Sequence, residues 1–292
     1  MKHSEYAKRF RIEDGAEFRL KDFDPAETLG LNSKQHAHEI LEHGIARLCD
    51  LQEKLFAQDR RAILVILQAM DAAGKDSTIK HVMSGLNPQG CTVSSFKEPS
   101  TEELNHDFLW RAARALPERG KIGIFNRSYY EEVLVVRVHR EILSRERLPE
   151  DLLSGKIWQE RFEDIKAFER YLDRNGIVIV KFFLNVSKKE QKKRFLERLD
   201  EPEKNWKFSA SDALERKYWG KYMDAYEEMI QSTSTEHAPW YVVPADHKWF
   251  TRIVVAEAVI HALEKLDLSF PQVDKKKRED LKKARAVLMR EK

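Results

Sequence analysis

Residues 62 to 81 read AILVILQAMDAAGKDSTIKH. The apolar run from Ile63 to Leu67 meets a turn of small residues that closes on Gly74 and Lys75, and a helical pattern follows. A strand, a tight turn and a helix N-terminus in that order suit a phosphate-binding (Walker A) loop. Unpaired backbone N–H groups and the helix dipole then point at an oxyanion. Gly74 lets the backbone approach closely, Ala72 and Ala73 leave the loop open, and Lys75 supplies a mobile point charge. Ser77 can offer a hydroxyl to phosphate or cap the helix. The pattern departs from G-x-x-x-x-G-K-[ST]: Ala69 stands at the first glycine, and Asp76 follows the lysine. Asp71 lies inside the loop. A carboxylate beside a polyanion needs an intervening cation, so Asp71 is a candidate Mg²⁺ ligand, directly or through water. A turn aspartate bonding its own backbone is the alternative.

Two further segments carry charge at places where chemistry is done. KIGIFNRSYYEEVLVVRVH, residues 121–139, is a second apolar strand ending in polar residues. Strand ends in parallel sheets face the ligand crevice, and Asn126, Arg127, Glu131 and Glu132 crowd there. Arg127 and Arg137 can offer guanidinium forks to phosphate, although Arg137 equally suits a salt bridge on a helix. In residues 194–222, Arg194 and Arg198 share a helix face, and Lys204 and Lys207 flank a broken stretch. Ser211 and Asp212 can cap the next helix. This basic helix–loop–helix, about 198–215, reads as a lid that closes over phosphates. HAHEILEHG is not a metal motif, because His38 and His43 are five residues apart and fall on different helix faces.

These segments must be positioned by a larger frame. The 292 residues suffice for one generous domain or two small ones. Strands are expected at Ala62–Gln68, Cys91–Phe96, Lys121–Asn126, Ile177–Leu184 and Trp240–Val243. Helices are expected near 34–57, 76–86, 100–116, 128–142, 157–174, 187–199, 211–231 and 249–266. The alternation predicts an α/β fold with a five-stranded parallel sheet covered on both faces. Residues 1–33 read as a surface-packed arm, 34–270 as the main domain, and 271–292 as a charged tail. With 52 Lys+Arg against 49 Asp+Glu the net charge is only +3, which does not suggest bulk nucleic-acid binding. No apolar run approaches about 18 residues, so no membrane partner is expected. Two distant cysteines, Cys49 and Cys91, and an N-terminus without a signal pattern point to a reducing cytoplasm.

Taken together, MDAAGKDSTIKH, NPQGC, FNRSYYEEVLVVRVH and EKNWKFSASDALERKYWGKYMDAYEEMI resemble the polyphosphate kinase 2 family, in wording most like its class III. The resemblance covers residues 60 to 265. It implies a three-layer α/β/α P-loop kinase fold with a helical lid, like a thymidylate kinase. It implies reversible transfer of phosphate between inorganic polyphosphate and AMP or ADP, yielding ATP, with Mg²⁺ or alternatively Mn²⁺. By position, Asp71 would organise the metal and the transferred phosphate, and Lys75 and Arg127 would bind it. Asn126 stands where many relatives carry Asp and lacks a formal charge for Mg²⁺. Glu131 would lie near the acceptor phosphates and bear on the AMP/ADP balance. Lys80, Lys97, Arg194, Arg198, Lys204 and Lys207 are candidates to line a polyphosphate groove. A homo-oligomer, dimer or tetramer, is expected. An ATP-dependent nucleoside monophosphate kinase on the same fold is the alternative.

Overall fold

A computed structural model of the protein describes residues 5–291; the side chains of Glu5 and Lys207 lie outside that description. The strands are β1 (Arg11–Ile12), β2 (Ala62–Gln68), β3 (Cys91–Ser95), β4 (Ile122–Asn126), β5 (Ile177–Asn185) and β6 (Trp240–Pro244), in the order β1-β6-β5-β2-β4-β3. β2 is central and buried at all seven positions, as its unbroken apolar run requires. Its register sets Leu67 beside Asn126 on β4 and beside Phe182 on β5. The loop after β2 therefore leaves the sheet next to the chain that follows β4.

The sheet has six strands rather than the expected five, and it is mixed. β1 runs antiparallel to β6. It comes from the N-terminal segment, where Val242 N donates to Phe10 O at 2.9 Å. A two-residue strand is too short to show periodicity in the sequence, yet it covers an edge that would otherwise expose unpaired backbone. The same segment buries Phe10, Phe18, Leu20 and Leu31. It fits so tightly that a Cβ at Gly15 would sit 2.2 Å from Gln231 O.

The helices are α1 (Glu5–Lys8), α2 (Lys34–Gln58), α3 (Lys75–Val82), α4 (Trp110–Arg114), α5 (Ile157–Arg174), α6 (Lys188–Asp200), α7 (Ala210–Glu215), α8 (Trp219–Thr233), α9 (Lys248–Glu264) and α10 (Lys275–Leu288). α9 packs on β5 and β6, with α1, α2 and α3 against it, while α5 and α8 pack together on the other side. Side chains alternate across a strand, and on β5 Lys181 reaches Glu169 of α5 while Phe183 stacks on Tyr226 of α8. α10 is a solvated helix with no buried residue.

Three expected helices are broken. Residues 100–116 form a 3₁₀ turn at Glu103–Asn105 and then α4, because the Asp107 carboxylate accepts from Leu109 N at 3.0 Å and starts a new turn. Residues 128–142 are a wide π-type turn, Glu132–Val136, followed by 3₁₀ structure. Residues 211–231 split into α7, a 3₁₀ turn and α8. These breaks fall around the crevice beyond the strand ends, as functional bulges commonly do.

One charged network lies inside the core. Lys181 on β5 and Glu169 on α5 are fully buried and paired at 2.6 Å. Glu169 also accepts from the hydroxyls of Tyr129 at 2.8 Å and Tyr130 at 2.7 Å, and Lys181 donates to Thr233 O at 2.8 Å. Burial drives the Lys181 pKa down, while Glu169 holds it up. Removing one partner strands the other in a medium of low dielectric. Lys181→Met is therefore expected to lose about 3–5 kcal/mol of stability in urea unfolding. Loss of less than about 1 kcal/mol would show that the pair is dispensable to the fold.

Candidate functional site

The loop between β2 and α3 is held by its own lysine. Lys75 opens α3, is only 9% exposed, and donates its Nζ to Ala69 O at 2.8 Å. Burial pushes its pKa down to about 8, aided by the nearby Arg127 and opposed by Asp71, Glu131 and Asp76. Gly74 sits at φ 114° and Ala72 at φ 61°, both in the left-handed region. Alanine is the smallest residue with a Cβ and tolerates that conformation with modest strain. Together they turn the backbone so that the start of α3 faces the crevice.

Arg127 closes the site from the β4 side. Its N–H donates to Leu67 O at 3.0 Å, and its φ is 63°. That turn aims the guanidinium at two carboxylates: Nη2 lies 2.7 Å from Asp71 Oδ1, and Nη1 lies 3.4 Å from Glu131 Oε2. Glu131 and then Asp71 hold the arginine charged, well above its ordinary pKa. Asn126 Nδ2 donates to Asp76 Oδ1 at 2.7 Å, tying the strand end to α3. Asp71, Lys75, Asp76, Asn126, Arg127 and Glu131, far apart in sequence, thus stand together.

The groove candidates divide. Lys97 lines the cavity that opens from this cluster. Lys80 is exposed on α3, Lys204 is exposed and paired with Glu201, and Arg198 is partly buried with its guanidinium 5.8 Å from the Phe195 ring. Lys207 lies outside the described side chains. Arg137 turns to Glu228 of α8 and lies 6.0 Å over the Phe162 ring, the salt-bridge alternative rather than a fork in the crevice.

Arg194 is a correction: it is 4% exposed and does not line a groove. It donates to four backbone carbonyls, those of Ala72 (3.0 Å), Ala73 (2.8 Å), Ala245 (2.7 Å) and Asp246 (3.0 Å), and its Nε pairs with Glu190. Loop carbonyls turned inward require donors beneath them, and a guanidinium carries enough for several at once. Gln191, which sequence reasoning passed over, is buried and donates to Asp71 O at 3.0 Å. Arg252, also missed, donates to Ser77 Oγ at 3.0 Å. None of these shows in a motif, because each acts on backbone or on a hydroxyl from a distant helix.

The cluster opens into a cavity of about 750 Å³. Asp71, Arg127 and Glu131 of the loop cluster line it. Phe108, Val135, Val136 and Ile142 give it apolar walls, and Ser211 and Glu215 reach in from the segment expected as a lid. There α7 is fixed by a capping box in which Ser209 and Asp212 bond each other's backbone. Among the described residues no cluster of three or more His, Cys, Asp or Glu could form a protein-only metal cage. One loop carboxylate beside a phosphate site does fit Mg²⁺, which takes few protein ligands and fills its shell with phosphate and water.

A sheet parallel except for its β1 edge, with a phosphate-binding loop after its central strand, an arginine at the next strand end and a nucleotide-sized cavity between them, defines a P-loop kinase. A profile of the family "Polyphosphate kinase 2 (PPK2)" matches residues 31–271. The chain is 52% identical to "ADP-polyphosphate phosphotransferase" of Rhodopseudomonas palustris over 97% of its length and 98% of that protein. It is 45% identical to "AMP/ADP-polyphosphate phosphotransferase" of Meiothermus ruber over 91% of its length and 96% of the relative. The crystal structure of polyphosphate kinase 2 from Arthrobacter aurescens superposes with a TM-score of 0.88 at 42% identity, covering 98% of this chain and 97% of that one. The chain belongs to the polyphosphate kinase 2 family and is a phosphotransferase.

The buried place of Arg194 has a measurable consequence. Arg194→Lys keeps the charge but cannot span four carbonyls. It is expected to lose about 2 kcal/mol or more of stability together with turnover. A variant of unchanged stability with only a raised KM for the phosphate donor would return Arg194 to the groove.

Proposed function

We propose that this enzyme transfers phosphate reversibly between inorganic polyphosphate and the terminal phosphate of AMP or ADP, with Mg²⁺ at Asp71. The observation that carries the reading is the continuity of the loop cluster with a cavity of about 750 Å³ that is lined by Asp71, Arg127 and Glu131 and also has apolar walls from Phe108, Val135, Val136 and Ile142. That shape fits a nucleotide acceptor whose phosphate meets Lys75 and Arg127. Both relatives reported above carry polyphosphate and ADP in their names, and one adds AMP.

Phosphoryl transfer needs alignment and charge neutralisation rather than covalent catalysis. The attacking atom is an acceptor phosphate oxygen, already largely ionised near neutral pH, so no strong general base is required. Mg²⁺ would supply charge neutralisation between phosphate oxygens and the Asp71 carboxylate. Lys75 and Arg127 bind the transferring group from two sides. Gln191 and Arg194 hold the loop carbonyls, which keeps the loop N–H groups pointed outward. An incoming phosphate competes with Asp71 and Glu131 for the Arg127 guanidinium, which places the nucleotide where Glu131 can sense its length.

Purified enzyme given AMP and polyphosphate, without ATP, is expected to form ADP and then ATP. Lys75→Ala is expected to remain folded and lose about a hundredfold or more in rate. An enzyme that makes no ADP until ATP is added would be an ATP-dependent nucleoside monophosphate kinase instead.

The contact between Glu131 and Arg127 bears on acceptor choice. A carboxylate there repels the additional phosphate of ADP unless the guanidinium intervenes. Glu131→Asn is expected to lower kcat/KM for AMP more than for ADP, measured at fixed polyphosphate and Mg²⁺. Equal losses, or a larger loss for ADP, would leave Glu131 as a partner of Arg127 with no part in selectivity.

A further inference from the structure

Gln191 is only 1% exposed, and both ends of its amide are engaged. Its Nε2 donates to Asp71 O at 3.0 Å, and its Oε1 accepts from Arg216 Nη1. Arg216 opens the 3₁₀ turn Arg216–Tyr218 that directly follows α7, and its Nη2 donates to Lys188 O of α6 at 3.1 Å. A side-chain amide donates at one end and accepts at the other, so filling one end polarises the second. Buried away from water, an end left empty costs its full desolvation. Arg216, Gln191 and the Asp71 carbonyl therefore form a chain through three segments: the turn after α7, α6 and the loop after β2.

The residue before Arg216 fastens the same stretch on its other side. Glu215 Oε2 lies 2.8 Å from His139 Nε2 and accepts from the Tyr222 hydroxyl at 3.1 Å. Ser211, Glu215, His139 and Tyr222 all line the cavity. Consecutive residues thus pin the end of α7 to the cavity wall and to α6. The pins work against charge. Asp212 stands on α7, and burial, then the Asp71 charge, push its pKa up against the pull of Arg198 and Arg127. Two carboxylates that sense each other repel when ionised, so the seating of α7 depends on what holds it down.

We propose that Arg216 is a positioning residue which, through Gln191, couples the seating of α7 beside the cavity to the set of the Asp71 loop. When α7 lifts, Arg216 leaves Gln191 and the amide is free to turn. Asp71 O then loses its donor, and the carboxylate that faces Arg127 is no longer fixed. Coupling of this kind is reciprocal, so a filled loop favours a seated α7. The inference rests on the loop being the phosphate site and not on the identity of the phosphate donor.

The test is amide hydrogen exchange on the full-length enzyme, read over the loop (69–74), over α7 and its turn (210–218), and over β2 as a measure of the fold. Arg216→Ala removes no atom that touches the loop. It is nevertheless expected to speed loop exchange about fivefold, the low end of ordinary coupling between sites, with β2 unchanged. Arg216→Lys keeps the charge but cannot fork between Gln191 and Lys188 O, and should restore part of the protection. Gln191→Met removes both ends of the amide. Adding Arg216→Ala to it should leave loop exchange no faster than in Gln191→Met alone. ADP is expected to protect residues 210–218 in the unmodified enzyme and to protect them less in Arg216→Ala. A role confined to stapling α7 onto α6 would speed exchange in 210–218 and leave the loop unchanged, which would overturn the proposal. So would full additivity in the double variant, or an equal rise in β2. Exchange is read without polyphosphate, so an enzyme that took its phosphate from ATP would fail the reading of the donor and leave this result standing.

Discussion

The Arg127 guanidinium, held between Asp71 and Glu131, is the interaction on which the rest of the site depends. It joins the loop after β2 to the turn after β4, two segments that meet only because Leu67 and Asn126 are paired neighbours in the sheet. An arginine at φ 63° carries strain of about 1–2 kcal/mol. The N–H bond to Leu67 O and the two carboxylates offset it. The arrangement also sets the chemical conditions of the crevice. Two carboxylates and a depressed lysine amine are balanced around one fixed cation. A polyanion entering there must displace carboxylates from the arginine or bring a cation with it. The metal-assisted transfer proposed above rests on that charge balance as much as on any single residue.

Support for this cluster comes from groups that never face the crevice. Arg194 and Gln191, both on α6, hold the inward carbonyls of the loop. Glu169 and Lys181 anchor the two tyrosines that follow Arg127. Buried ion pairs contribute little net stability over apolar packing, so these four buried groups, two beneath the loop and two beneath the tyrosines after β4, are better understood as specifying the shape of the site. A phosphate loop must present N–H groups outward, and its carbonyls then need donors underneath. The protein meets that need with side chains from α6, which ties the loop to the helix leading into the lid segment.

The cavity joins chemistry to recognition. The loop cluster lines part of it, while its apolar walls come from the broken elements around residues 103–146. Each break in a helix there frees a short segment to bend around the cavity. The π-type turn sets Glu132 on the cavity wall and buries Val133 and Leu134 in the core. The same residues in an unbroken helix would present a different face.

Much of the protein was legible in its sequence. The apolar run ending in AGK, the strand ending in NRS, and five of the six strands follow from periodicity, because a buried central strand tolerates little but apolar residues. Asp71, Lys75 and Arg127 could be singled out because their chemistry is required at strand ends and helix starts. Their mutual contacts could not, since they depend on the register between β2 and β4. The edge strand β1 is too short to carry a period, and the burial of Arg194 has no local signature, because nothing in RFLER tells a solvated arginine from one that meets four carbonyls of other segments. Local sequence determined which residues could do chemistry, through short-range propensity and hydrophobic pattern. Only the tertiary structure decided which of those charges face the crevice and which lie beneath it, because burial and pairing are set by segments more than a hundred residues away.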